Sequence, residues 1–184
     1  RALMASPQTG FDHALAPLMG RLRGRTLGIV GLGRIGTATA LRAKGFGLNV
    51  VCYDPYVSRG SEIAVGVQRV ESLGALLEIS DVVSLHCPLT DTTRNMINAE
   101  TLARMKPEAL LINTARGAIV DVPALLEALR TNVIAGAALD VLPVEPPASD
   151  DPVSVAYEGR QDPLVGERLL LSPHAAWSSP ESVA

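Results

Sequence analysis

The sequence predicts an α/β fold with a doubly wound, mainly parallel sheet. Strand-like and helix-like stretches alternate from residue 26 onward, which is the pattern of that fold class. The strand-like stretches are continuously apolar, as in strands that helices cover on both faces. The chain of 184 residues is 47% hydrophobic but only 3% aromatic, so its core is expected to consist of Val, Ile, Leu and Ala.

Seven strands and four helices follow from this alternation. The strands are predicted at 26–31, 48–53, 67–70, 82–86, 109–113, 134–139 and 168–171. The helices are predicted at 34–46, 72–79, 99–104 and 122–130. Two helices have clear start signals, since Ser72 and Asp121 suit the N-cap position and Pro123 suits the first turn.

Two segments interrupt the alternation. Residues 1–25 contain two prolines and three glycines with weak helical periodicity, and we expect a linker or hinge there. Residues 143–167 contain five prolines and several acidic residues. We expect this segment to be a long surface loop, of the kind that often borders a functional site in α/β proteins.

Charge, cysteine content and hydropathy exclude several classes of function. The net charge is −3 without a Lys/Arg cluster along one face, so direct nucleic-acid binding is not expected. Cys52 and Cys87 have no His or Cys at metal-ligand spacing, which favours free thiols over a metal site; a disulfide remains the alternative. No apolar run reaches the ~18 residues of a membrane span. We therefore expect a soluble, cytoplasmic protein.

A glycine-rich turn follows the first predicted strand. Gly31, Gly33 and Gly36 have G-x-G-x-x-G spacing between that strand and a helix, and Asp54 ends the next strand. Such glycines allow a tight turn, a close approach of a pyrophosphate and close helix–strand packing, while the acid accepts bonds from ribose hydroxyls. The alternative is a structural turn beside a solvated acid. The whole context favours a Rossmann-type site that binds NAD(H) and not NADP(H).

Three polar residues each follow the carboxyl end of a predicted strand. Arg116 follows 109–113, Glu145 follows 134–139 and His174 follows 168–171. Taken singly, each suits a solvated loop, but together they lie at the sheet edge where such folds bind ligands. Asp140 is a fourth candidate, which could meet the nicotinamide carboxamide or simply cap its strand.

This set of side chains fits the reduction of a 2-oxo acid by hydride. The guanidinium of Arg116 could hold the carboxylate and polarise the adjacent carbonyl, with the small neighbours Ala115 and Gly117 leaving room for substrate. The imidazole of His174 could exchange a proton with the alkoxide oxygen. Glu145 could bond the other ring nitrogen, fix the tautomer and favour the imidazolium.

Five stretches, taken in order, resemble the D-isomer-specific 2-hydroxyacid dehydrogenases. They are LRGRTLGIVGLGRIG, HCPLTDTTRNMI, INTARGAIVD, AALDVLPVEPP and SPHAAW. The resemblance implies a catalytic set at Arg116, Glu145 and His174, with substrate also bordered by Trp177. It implies NAD(H) contacts at Val30, Gly31, Gly33, Arg34, Ile35, Gly36, Asp54, Cys87, Pro88, Thr93, Thr114, Ala115, Arg116, Asp140 and His174.

Within the family, RAKGFGLNVVCYDPYVSRG and HAAW most resemble the C-terminal-binding-protein branch. Trp177 argues against a phosphoglycerate dehydrogenase, which usually has a glycine-containing stretch after the histidine. The segment between Glu145 and His174 is longer than is usual for the branch, so the loop near the active site is expected to be repositioned.

The resemblance also implies a division of the chain. Residues 1–25 would lead in from a missing substrate domain, 26–177 would form the NAD-binding domain, and 178–184 would begin the helix that returns to the substrate domain. The expected partners are a small 2-oxo or 2-hydroxy acid and a second copy of the chain. Alternatives are an NAD(H)-sensing corepressor, which would be nuclear and bind peptide motifs, and an NAD-binding domain that serves another hydride acceptor.

Overall fold

Seven parallel strands form a single sheet. The computed structural model describes residues 21–157 and 168–176. The strands are β1 (Thr26–Val30), β2 (Asn49–Tyr53), β3 (Gln68–Arg69), β4 (Val82–Leu85), β5 (Leu110–Asn113), β6 (Gly136–Leu139) and β7 (Leu169–Leu171). Their order is β3-β2-β1-β4-β5-β6-β7, and every pairing is parallel. The predicted doubly wound fold and all seven strands are confirmed.

Helices connect the strands. They are α1 (Arg34–Gly45), α2 (Ser61–Val65), α3 (Leu73–Ile79), α4 (Ala99–Leu102), α5 (Val122–Arg130) and α6 (Pro152–Tyr157), with a 3-10 turn at Gly117–Ile119. The four predicted helices are confirmed, and so are two start signals. The Ser72 side chain accepts a hydrogen bond from the Ala75 N–H, and that of Asp121 accepts one from Ala124.

Two helices were not predicted. No residue of α2 is buried, so its sequence has no apolar period that would predict a helix. Gly60 and Gly66, both with positive φ, bound this helix. The prediction that 143–167 is loop throughout is wrong, because α6 lies within this segment. Its first turn is held by Asp151, whose Oδ1 accepts hydrogen bonds from the backbone N–H groups of Val153 and Ser154.

The core lies on both faces of the sheet. Alternate residues of β1 and β2 pack toward α1, whose small Ala40 and Ala43 allow a close approach. The larger cluster contains Leu76, Leu102 and Leu125 from α3, α4 and α5. Helices on both faces account for the continuously apolar strands.

The strand order reverses direction between β1 and β4, which are neighbours in the sheet. The connection after β1 runs toward one edge of the sheet and the connection after β4 runs toward the other edge. A crevice therefore opens outside the carboxyl ends of these two strands. The loops after β1, β2, β4 and β5 therefore meet around that crevice. The loops after β6 and β7 continue the same edge.

Several predictions fall outside the described residues. Trp177, the helix predicted from 178 and most of the linker predicted at 1–25 lie there, and so do residues 158–167. Among the described helices, none has the length and hydropathy that crossing a membrane requires. Both cysteines are free thiols.

Candidate active site

The glycine turn after β1 has the geometry that close backbone approaches require. Gly31 has φ +95°, and a Cβ atom there would lie 2.8 Å from the Cys87 nitrogen. A Cβ on Gly36 would lie 2.0 Å from the Gly31 carbonyl oxygen, so this glycine lets α1 start against β1. A Cβ atom on Gly33 would meet nothing within 4 Å. Gly33 is the N-cap residue of α1, and no side chain makes a capping hydrogen bond there. The open side of the turn suits a pyrophosphate.

Asp54 ties the loop after β2 to the glycine turn. Its Oδ2 accepts a hydrogen bond from the Leu32 N–H at 2.8 Å. Its Oδ1 accepts bonds from the N–H groups of Tyr56 and Val57 at 2.9 and 3.1 Å. The carboxylate thus has a fixed place beside the turn, as recognition of a ribose requires.

The two loops border a cleft of about 250 Å³. Its opposite wall is the loop after β4, with Cys87, Pro88 and Thr93. Thr93 is buried and holds that loop together, since its hydroxyl donates to the Pro88 carbonyl oxygen and accepts from the Thr90 N–H, both at 2.7 Å. Burial raises the pKa of the Cys87 thiol, and the nearby Asp54 carboxylate adds to this effect, so the thiol is protonated at neutral pH.

A second cleft, of about 500 Å³, continues toward β5. It shares His86, Cys87 and Pro88 with the first cleft, so the two are adjacent parts of one crevice. Most of the predicted contacts line these clefts, but Gly36, Asp140 and His174 are in the described lining of neither. Val30, Gly31, Gly33 and Asp54 line the first; Ile35, Thr114, Ala115 and Arg116 line the second. Arg34 is exposed at the start of α1 and is not in the described lining of either.

The residues present fit a dinucleotide. A glycine turn with an open side and an acid lie at the first cleft, and the exposed apolar side chain of Ile35 lies at the second. His86, which directly follows β4, lines both clefts. Its Nε2 is 2.9 Å from the Ser84 hydroxyl, and burial lowers its pKa, which keeps the ring neutral at pH 7.

Arg116 is exposed after β5, and the buried Asn113 holds its backbone in place. The Asn113 side chain donates to the Arg116 carbonyl oxygen and accepts from the Ala115 N–H, both at 3.0 Å. The guanidinium donates one bond to the Ala115 carbonyl oxygen at 2.6 Å, which does not exhaust its five donors. Asn113 was missed in the sequence, where its only signal is an amide that ends an apolar run.

The role expected for Gly117 is wrong. A Cβ on Gly117 would lie 2.0 Å from the Leu142 carbonyl carbon and 2.3 Å from the Pro143 nitrogen. The space beside this glycine is therefore filled by backbone and does not leave room for substrate. Instead, Gly117 allows the loop of Arg116 to pack directly on the loop that carries Glu145.

His174 and Glu145, which are 29 residues apart, form a hydrogen-bonded pair at this edge. His174 Nδ1 is 2.5 Å from Glu145 Oε2, and Glu145 Oε1 accepts a bond from the Leu142 N–H at 2.7 Å. Partial burial raises the pKa of Glu145, but bonds from Leu142 and His174 outweigh it and hold the pKa below its usual range. With Nδ1 occupied, Nε2 is the ring nitrogen that remains for proton exchange with a ligand.

Asp140 is buried and fixes the loop of His174. Its carboxylate accepts bonds from the Ser172 hydroxyl and from the N–H groups of Ala175 and Ala176. Its carbonyl oxygen accepts from the His174 N–H at 2.8 Å, where His174 has φ +52°. Burial raises the pKa of Asp140, but these hydrogen bonds outweigh it and lower the pKa. The contact predicted with nicotinamide stays a prediction.

The proline-rich segment borders the site, as a long loop there was expected to do. Pro146, Pro147 and Ser154 line a cavity of about 540 Å³ together with Glu145 and His174. Six predicted site residues past β4, β5, β6 and β7 thus lie along one edge of the sheet: Cys87, Thr114, Arg116, Asp140, Glu145 and His174.

The arrangement matches a known family over nearly its whole length. The family model described as D-isomer specific 2-hydroxyacid dehydrogenase, NAD binding domain, matches residues 6–176. The chain belongs to this family. The prediction of NAD as the cofactor is thereby confirmed.

Relatives and solved structures agree with the assignment of this dehydrogenase domain. A glyoxylate reductase from Korarchaeum cryptofilum is 48% identical over 92% of the chain and 48% of that protein. A D-3-phosphoglycerate dehydrogenase from Methanocaldococcus jannaschii is 40% identical over 88% and 29%. The structure of an Aquifex aeolicus D-lactate dehydrogenase with NAD and lactic acid matches with a TM-score of 0.82 at 34% identity, over 96% and 54%. The chain thus spans about half the length, or less, of these relatives.

Proposed function

We propose that the protein is an NAD-dependent dehydrogenase that interconverts a 2-oxo acid and a D-2-hydroxy acid. The observation that carries the proposal is the 2.5 Å contact between His174 Nδ1 and Glu145 Oε2. A histidine oriented by a carboxylate at the ligand-binding edge, beside a crevice for NAD, is the arrangement that carbonyl reduction by hydride needs.

Arg116 holds the substrate in this proposal. Its planar guanidinium can bind a carboxylate through two parallel hydrogen bonds, which orients the neighbouring carbonyl group. The remaining donors stabilise the negative charge that develops on the carbonyl oxygen. Arg116 lines the second cleft next to Thr114 and Ala115, so this anchor lies within the crevice proposed for the dinucleotide.

The pair of His174 and Glu145 moves the proton. Bound NADH supplies the hydride for reduction, and NAD⁺ accepts it in the reverse direction. Glu145 is ionised at neutral pH because its pKa is held low. With Nδ1 bonded to this carboxylate, His174 exchanges the proton through Nε2, which donates it to the alkoxide oxygen in reduction and recovers it in oxidation.

The substrate class and the oligomeric state are also proposals. The substrate class that we favour is a small 2-oxo acid such as glyoxylate, in view of the 48% identity to a glyoxylate reductase. The corepressor alternative and the C-terminal-binding-protein branch have support only from the sequence stretches quoted for them. We expect a homodimer, which the mass in solution would test.

The substrate cleft is proposed to need more than the described residues. The chain spans 48% of the glyoxylate reductase, and Arg116 lies exposed at the sheet edge. We expect residues 1–184 alone to bind NADH but to turn over 2-oxo acids poorly. Substantial reduction of a 2-oxo acid by this segment would contradict the expectation.

A panel of 2-oxo acids tests the proposed function. NADH oxidation by the full-length protein would be followed at 340 nm with glyoxylate, pyruvate, hydroxypyruvate and longer branched or thioether acids. His174→Ala is the control, because it removes the proton donor and His174 is in the described lining of neither cleft. Turnover of one acid that the control loses by roughly 10²–10⁴-fold supports the proposal. Tight NADH binding without turnover of any acid would favour an NAD(H)-sensing binding protein.

A further inference from the structure

Arg69 is a largely buried arginine that lines neither of the two clefts. It lies on β3, the two-residue strand at the edge of the sheet. Its side chain is 16% exposed, and that of its ion-pair partner Glu62 is 14% exposed. A buried arginine must have hydrogen-bond acceptors that offset its lost hydration, so its partners indicate what it does.

The acceptors of Arg69 belong to a single loop. Its Nη2 donates to the Asp54 carbonyl oxygen at 2.6 Å, and its Nη1 donates to the Val57 carbonyl oxygen at 2.9 Å. The carboxylate of Glu62 lies 3.8 Å from Nη1. The rigid fork of the guanidinium therefore bridges the first part of the loop after β2 and fixes the separation of Asp54 and Val57.

The same loop is held from its other side by Asp54. The Asp54 carboxylate accepts hydrogen bonds from the N–H groups of Tyr56 and Val57, and it reaches the glycine turn through Leu32. Carbonyl groups of the loop thus bind Arg69, while N–H groups bind the carboxylate that lines the first cleft. Loss of the hydrogen bonds from Arg69 would allow the backbone of Asp54 to move, and its carboxylate would move with it.

We propose that Arg69 is a positioning residue for cofactor selection, which sets the preference for NADH over NADPH by holding the Asp54 loop in place. Arg69 does not line the cleft and acts through Asp54. A fixed carboxylate accepts bonds from the ribose hydroxyls and repels a 2′-phosphate; a mobile one can move aside. The inference rests on NAD binding by the domain and not on the proposed reaction.

The direction of the effect separates positioning from simple electrostatics. A 2′-phosphate adds about two negative charges to the dinucleotide. If Arg69 acted only through its charge, its loss would weaken NADPH binding more than NADH binding and increase the preference for NADH. If Arg69 positions Asp54, its loss must instead reduce that preference.

Equilibrium binding to Arg69→Met in the full-length protein tests the proposal. Dissociation constants for NADH and NADPH would be measured by titration calorimetry or nucleotide fluorescence, without any substrate. We expect the ratio of the NADPH to the NADH constant to fall about ten-fold, as two charge-assisted hydrogen bonds to the loop are lost. Arg59→Met is the matched control, because Arg59 pairs with Glu71 on the surface with 77% of its side chain exposed.

Folding is checked by circular dichroism and thermal unfolding. Arg69→Lys serves as a second variant if Arg69→Met does not fold, since one ammonium can hold one of the two carbonyl groups but not span both. We expect Arg69→Lys to shift the ratio in the same direction by a smaller factor. An unchanged or increased ratio in a folded Arg69 variant, or an equal fall of the ratio in Arg59→Met, would overturn the proposal.

Discussion

A Cβ atom on Gly117 would lie 2.0 Å from the carbonyl carbon of Leu142. The loop of Arg116 and the loop of Glu145 therefore meet backbone to backbone, with no space for a methyl group between them. We predict that Gly117→Ala lowers the free energy of unfolding by about 1–3 kcal/mol, the usual cost of overpacking. Turnover should fall as well, because both loops carry proposed catalytic side chains. Denaturant unfolding and kcat measure the two effects.

Gly45→Ala is the matched control for this change. Gly45 ends α1, and a Cβ there would meet nothing within 4 Å. Alanine also favours helix, so stability should stay within about 0.5 kcal/mol of the wild type or rise. Equal stability of the two variants would contradict the packing that we infer at Gly117.

Glu145→Gln tests whether the carboxylate acts through His174. The amide oxygen can still accept from the Leu142 N–H, but the amide nitrogen cannot accept from His174 Nδ1. We predict a kcat loss of about ten-fold or more, within the roughly 10²–10⁴-fold contribution of the proton donor. A double-mutant cycle measures the coupling: Glu145→Gln should cost little in a His174→Ala background. Additive losses would mean that Glu145 acts independently of the histidine.

Asp140→Asn distinguishes two roles for the buried acid. Asparagine keeps one oxygen acceptor, but the amide nitrogen that replaces the other oxygen cannot accept from the backbone N–H of Ala175 or Ala176, so the loop of His174 should shift. We predict that kcat falls at least ten-fold, a loss of about 1.4 kcal/mol in transition-state stabilisation, while NADH affinity changes little. Asp91→Asn, on the exposed surface, is the control. Lost NADH affinity with an unchanged kcat would instead favour the contact with nicotinamide.

Asp81 is predicted to stabilise the fold in a pH-dependent manner. Burial raises its pKa, but bonds from the Thr26 N–H and Lys106, with Arg25 nearby, outweigh this effect and lower it. A lowered pKa means that its stabilisation is present above the ordinary value of about 4 and is lost as the pH falls through the folded-state value. We expect Asp81→Asn to cost about 1 kcal/mol at pH 7.

Urea unfolding at pH 7, 5 and 3 measures this contribution. The difference in stability between the wild type and Asp81→Asn should shrink between pH 5 and pH 3, because the lowered pKa of Asp81 makes the folded state lose this stabilisation as the carboxyl group takes up a proton. Glu78→Gln is a control, because Glu78 pairs with Arg104 on the surface with 54% of its side chain exposed. A difference between the wild type and Asp81→Asn that is independent of pH would assign the effect to packing.

The sequence was sufficient where several local signals agree. The apolar runs predicted the inner strands β1, β2, β4, β5 and β6 because helices pack on these strands and a continuous polar face is not needed. The glycine spacing predicted the turn because a methyl group at Gly31 or Gly36 would collide with backbone. The positions of Arg116, Glu145 and His174 after successive strands placed them on one edge, since parallel strands end on the same side.

The sequence was insufficient where a residue acts through a distant backbone. Nothing local to Gly117 indicates that Leu142 fills the space beside it. Arg69 is unremarkable in sequence, because the carbonyl groups that it binds lie 12 and 15 residues away. The helix α2 was missed because it buries no residue and so has no apolar period. Such contacts depend on the tertiary fold, which local patterns do not encode.

Arg116→Leu, studied in the full-length protein, tests the central claim most directly. Leucine retains an apolar stem but has no donor for a carboxylate, whereas the glycine turn and Asp54, which are proposed to bind the pyrophosphate and the ribose, are left untouched. NADH dissociation constants and 2-oxo acid turnover would be measured on the same preparation. We predict that turnover is abolished while NADH affinity is nearly unchanged. Equal loss of both would contradict this prediction and make Arg116 a structural or cofactor-binding residue.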